Sequence, residues 1–68
     1  MAGYKVVKTF ERGNKTFDVI QWEGESYYKL SMRNPRGSDY VYSEDFKSPH
    51  EAELHADEEV KRLRHLFF

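Results

Sequence analysis

Trp22, Tyr27 and Ile20, with the cations Lys29, Arg33 and Lys5, are the residues of this 68-residue chain whose types and spacing best suit chemistry. If 15–22 and 26–33 pair as antiparallel strands, Trp22 faces Tyr27, Ile20 faces Lys29 and Thr16 faces Arg33. Alternation then puts all of them, and Lys5 from the preceding strand, on one face. Flat rings among cations suit stacking on bases with contacts to phosphates. The same set suits a protein contact, where Trp, Tyr and Arg anchor the interface. Cross-strand aromatic pairs also stabilise a solvated sheet face without any partner.

Other chemistry has thinner support. In the loop Asn34-Pro35-Arg36-Gly37-Ser38, Arg36 stands beside Gly37 and could grip a phosphate together with a backbone N–H. It is not a nucleotide-binding P-loop, since no GxxxxGK[ST] occurs. His50 and His55 are five apart, which on a helix points them about 140° away from each other. With no cysteine, a metal site would need His55 with Glu51 or Glu59, a poor zinc set. No metal and no cofactor is expected. No nucleophile–base pair stands out, so the expected role is binding rather than catalysis.

The chain is 34% charged and 16% aromatic. Disordered chains are poor in aromatics, and each Tyr or Phe buries roughly 150–250 Å², so a folded domain with a thin core is expected. The start, Met1-Ala2-Gly3-Tyr4-Lys5, lacks the apolar stretch of a signal peptide, and no apolar run nears the ~20 residues that span a bilayer. The absence of cysteine suits a reducing compartment, so a cytoplasmic protein is expected. Net charge is −1, unevenly spread: residues 1–42 sum to +2 and residues 43–68 to −3.

The elements that must position these residues follow from local signals. Tyr4–Arg12 is rich in strand formers, and Gly13-Asn14 is a two-residue hairpin turn with Gly supplying φ > 0. Strands are expected at 4–12, 15–22 and 26–33, with a short fourth at 40–42 after the turn-forming run 34–39. Ser48-Pro49-His50-Glu51 matches a capping box with Pro at the first helical position, opening a helix over 49–66. Acidic residues come early in it and basic ones late, which suits the helix dipole.

Ala52, Ala56, Val60, Leu63 and Phe67 form one apolar stripe on that helix. Alternation assigns Tyr4, Val6, Phe10, Phe17, Val19, Tyr28, Leu30 and Met32 to the face it covers. Lys5, Val7, Thr9, Glu11, Thr16, Asp18, Ile20, Trp22, Tyr27, Lys29, Ser31 and Arg33 fall on the bare face. Leu54 and Phe68 lie off the stripe, a possible homodimer contact. The expected class is α+β: a three- or four-stranded antiparallel meander with one C-terminal helix, in a single domain over 1–68.

The run Tyr27-Tyr28-Lys29-Leu30-Ser31-Met32-Arg33-Asn34-Pro35-Arg36-Gly37, followed by Phe46-Lys47-Ser48-Pro49-His50-Glu51-Ala52, resembles the arm-binding, AP2-like modules of tyrosine recombinases over about half the chain. The resemblance implies a three-stranded sheet plus helix, and DNA binding through the face opposite the helix, here Trp22, Tyr27, Lys29, Arg33 and Arg36. The expectation is a non-catalytic binding module with a slight preference for nucleic acid. The alternative is a small protein, of the sort phages use against host factors, that binds and inhibits a host protein through the same face.

Overall fold

The computed structural model describes the backbone of residues 3–67 and the side chains of residues 3–62. Four antiparallel strands, β1 (Tyr4–Arg12), β2 (Lys15–Trp22), β3 (Lys29–Met32) and β4 (Tyr40–Val41), form a meander in the order β1-β2-β3-β4. One helix, α1 (Pro49–Phe67), packs on one face and touches β1, β2 and β3. The fold is α+β, as the element signals predict.

The β1–β2 turn has the expected form: Gly13 has φ 64° and Asn14 keeps a negative φ, so the first turn position carries the left-handed backbone. A Cβ at Gly13 would also lie 3.1 Å from Val60 Cγ1, so the turn and the helix meet there. The β2–β3 turn closes by Glu25 N–H donating to Trp22 O at 3.1 Å, with Gly24 at φ 85° in the position that a type II turn reserves for glycine. Strand β3 is shorter than the expected 26–33. Ser26 and Tyr27 bend, and the Tyr28 backbone exchanges hydrogen bonds with Phe46 (2.8 and 2.9 Å) rather than with β2.

Phe10, Phe17, Val19, Leu30, Tyr42, Phe46, Ala52 and Ala56 make the core, with Tyr28, Met32 and Val60 packed around it. Phe10 and Phe17 stack at 5.5 Å between ring centroids, and Val19 stands opposite Leu30. Ala52 and Ala56 are fully buried, and their small side chains let the helix lie close to the sheet. The stripe positions Leu63 and Phe67 lie outside the described side chains. At the helix start, Glu51 N–H donates to Ser48 Oγ at 3.3 Å. The Glu51 carboxylate accepts from Lys47 N–H at 3.2 Å, one residue earlier than the capping box predicts.

Polar contacts fix the helix to β1. Arg12 bonds Glu53 (2.6 Å) and Asp57 (2.7 Å), and Lys8 bonds Glu53. The Lys8 ammonium, with help from Arg12, holds the Glu53 carboxyl below its ordinary value despite partial burial. His55 is not a solvated helix histidine: its ring stands 5.4 Å from that of Tyr42 and 5.3 Å from that of Phe46. Among the described residues no helix is long and apolar enough to cross a membrane.

The regular alternation expected along β1 fails at one point. Val6 pairs with Ile20 but Lys8 pairs with Val19, so Val7 is an extra residue with no partner on β2. This β-bulge shifts the phase of everything before it. Tyr4 and Val6 leave the helix side for the bare face, where they are 55% and 52% exposed. Lys5 makes the opposite move: it stands opposite Gln21, on the helix side.

Candidate functional site

The bare face of the sheet is a grid that the register defines. One row runs Val6–Ile20–Lys29, the next Thr9–Asp18–Ser31–Val41, with Tyr4–Trp22 above them and Glu11–Thr16 below. Arg33 follows β3 beside Thr16, donating its N–H to Thr16 O at 2.9 Å.

The Thr9–Asp18–Arg33 line is a closed polar unit. Arg33 Nε donates to Asp18 Oδ2 at 2.9 Å and its Nη2 to Oδ1 at 3.1 Å, a bidentate pair. Thr9 Oγ1 donates to Asp18 Oδ1 at 2.7 Å. The Arg33 guanidinium holds the Asp18 carboxyl below its ordinary value, burial opposes this, and the Thr9 hydroxyl adds to the lowering. Asp18 and Ser31 are each only 6% exposed although the helix packs on the other face.

The seven expected site residues are dispersed by this geometry. Trp22 is half-buried and packs on Tyr4, with ring centroids 5.0 Å apart and planes tilted by 60°. Tyr27 lies in the bend, outside the β2–β3 ladder, so the expected Trp22–Tyr27 strand pair does not form. Lys29 Nζ stands 5.7 Å from the Tyr27 ring centre, and it is held by Asp45 at 2.6 Å and by Ser43 O at 2.9 Å. Arg33 is held by Asp18. Ile20 occupies the middle of the face but is 4% exposed, a floor rather than a contact surface. Arg36 is exposed in the 33–39 loop, its N–H donated to Asn34 Oδ1 at 3.0 Å. Lys5 is on the other side of the sheet.

Tyr4 and Val6 are the members that strict alternation hides. Val6-Val7 are adjacent apolar residues inside a strand, but so are Val19-Ile20 in the regular β2, so the doublet alone does not locate the bulge. Above the Tyr4–Trp22 pair, a groove of about 320 Å³ opens at the end of the sheet, lined by Gly3, Tyr4, Lys5, Trp22, Glu23 and Glu25 among others. Leu54 is 49% exposed on the outward side of the helix, and Phe68 lies outside the described residues. Among the described residues no group of three or more His, Cys, Asp or Glu side chains is placed to hold a metal ion. No family model, no curated protein and no solved structure matches this chain.

Proposed function

We propose that this chain is a small, non-catalytic, cytoplasmic binding module that docks a partner protein through the bare face of its sheet. One observation carries the reading. Both cations of the face, Lys29 and Arg33, are bound to carboxylates, while Tyr4 and Val6 stand open beside Trp22. Glu11 and Asp39 add negative charge at its lower edge. Nucleic-acid affinity draws on cations free to replace the counterions of phosphate. Aromatic and aliphatic area between satisfied polar groups is the make-up of a protein contact.

DNA binding, the family resemblance's implication, draws on Lys29, Arg33 and Arg36. Two of these are engaged within the domain, which ranks nucleic acid second. The experiment compares capture from nuclease-treated and untreated cell extract by the tagged protein and by Val6→Asp and Leu54→Asp variants. A partner that survives nuclease, is lost with Val6→Asp and is kept with Leu54→Asp supports the reading. Capture that vanishes with nuclease, or a Trp22 fluorescence change with single-stranded or duplex oligonucleotides that falls steeply with salt, replaces it with nucleic acid.

A further inference from the structure

We infer that the groove above Trp22 is a cation-recognition site that takes an arginine side chain of the partner. The inference rests on the protein-docking reading and names the chemistry of what docks.

The argument begins with backbone. Glu23 N–H donates to Gly3 O at 2.9 Å, closing the end of the β1–β2 ladder. A Cβ added at Gly3 would lie 2.9 Å from Glu23 Oε2, so the absence of a side chain there lets the Glu23 carboxylate fold against the strand. Glu25 is brought round by the Trp22–Glu25 turn, and Gln21 Nε2 ties its carbonyl back to β2 at 3.0 Å. Gly24, at the apex, has nothing within 4 Å of where a Cβ would stand, so the turn leaves the mouth open.

These groups surround an aromatic corner. The Tyr4 and Trp22 rings meet at 60°, and Tyr4 is 55% exposed. Among the described residues, neither Glu23 nor Glu25 has a cation within ion-pair distance, in contrast to Glu53, Asp57, Asp18, Asp45 and Glu59. Among the described residues, the groove is thus lined by two aromatic side chains and two carboxylates without an ion pair. A cation over an aromatic face is attracted by the ring quadrupole, most strongly over Trp. A guanidinium adds a flat surface that stacks and a fork of donors that matches a carboxylate, which a lysine ammonium lacks. Lys5 is the competing charge: it lines the same groove from the helix side and makes no ion pair among the described residues. Among the described lining residues, Lys5 against Glu23 and Glu25 leaves one negative charge in excess.

Trp22 is the one tryptophan of the chain, so its fluorescence reports this groove directly. The probe is acetyl-Val-Arg-Val-amide, with acetyl-Val-citrulline-Val-amide as its uncharged counterpart. The arginine peptide is expected to quench Trp22 saturably, and the citrulline peptide to bind about tenfold more weakly. Glu23→Gln and Glu25→Gln should each weaken the arginine peptide about threefold or more, and Lys5→Gln should tighten it, with circular dichroism unchanged. Equal binding of the two peptides, no quenching up to about 10 mM, or indifference to both Glu variants overturns the assignment. None of these outcomes touches the docking reading, which stands or falls on nuclease-resistant capture lost with Val6→Asp.

Discussion

Arg33 and Asp18 meet as a bidentate pair on the uncovered face of the sheet, 2.9 and 3.1 Å apart, with Thr9 closing the unit from β1. The pair joins β2 to the end of β3 across a face that no helix supports. It also pairs the charge of the one arginine of that face, although the guanidinium itself stays half exposed. The contact that secures the strand end is also the contact that neutralises the surface.

Replacing Asp18 is expected to show both effects. Asp18→Ala removes an acceptor of three hydrogen bonds from a nearly buried position and should destabilise the domain by about 1–3 kcal/mol, read from urea unfolding. It should also give the face a free guanidinium, so that weak, salt-sensitive oligonucleotide binding appears in the variant alone. A variant as stable as the parent would show that the unit is decorative.

Acid should weaken the fold in a defined window. The Asp18 and Glu53 carboxyls are held below their ordinary values of 3.8 and 4.5 by Arg33 and Lys8 respectively. Near those values the unfolded chain binds more protons than the folded one, so stability decreases as pH is lowered. The contribution is fully present above about pH 5 and is lost as pH drops through the lowered folded-state values. Thermal melts from pH 7 to pH 2 should show a flat upper region and a decline beginning near pH 4.5. Asp18→Asn should make that decline shallower.

The core and the cap make sharper tests of the fold. Leu30 is fully buried opposite Val19, and Leu30→Ala should cost about 2–5 kcal/mol, enough to unfold much of a 68-residue domain. Ser48→Ala should cost roughly 0.5–2 kcal/mol, since Glu51 N–H loses its acceptor. Urea titrations measure both. A cap variant with an unchanged midpoint would mean that the Lys47–Glu51 bond alone holds the helix start.

Much of this was legible in the sequence because it is governed by local chemistry. Gly13-Asn14 required a left-handed first turn position, Ser48-Pro49 with Glu51 required a helix start, and Phe10, Phe17, Val19 and Leu30 fell into register from that turn and from the pairing of 15–22 with 26–33. The candidate site was less legible, for two physical reasons. Alternation assumes an unbroken pleat, and one added residue in β1 reversed Tyr4, Lys5 and Val6 without disturbing anything after Lys8. The state of the cations was hidden as well. Lys29 and Arg33 read as free charges in sequence, but Asp45 lies sixteen residues beyond Lys29 and Asp18 fifteen before Arg33, partners that only the fold brings near.

The bulge itself makes the last prediction. Strand β1 is an edge strand, nine residues long, with Tyr4, Val6 and Val7 exposed along it. An edge of this length and composition is a template for pairing with another chain, and a bulge is one of the devices that bend such an edge out of use. Deleting Val7 tests whether it does so here. Residues 4, 5, 6, 8, 9 and 10 would then face 22, 21, 20, 19, 18 and 17 in unbroken register, so both faces of the sheet keep their residues. That register is expected to keep the Tyr4–Trp22 pair, Lys8–Glu53 and the Thr9–Asp18 bond of the parent. The edge, however, becomes straight and its backbone groups fall into line. The variant should keep its circular dichroism and Trp22 emission at low concentration. It should self-associate as concentration rises, with a sedimentation coefficient that grows over roughly 10–500 µM while the parent stays constant. A deletion variant that unfolds would mean that β1 depends on the bulge for its twist. One that folds and stays as monodisperse as the parent would mean that Lys5 and the curvature of the sheet already protect this edge, leaving Val7 to set only which residues accompany Trp22.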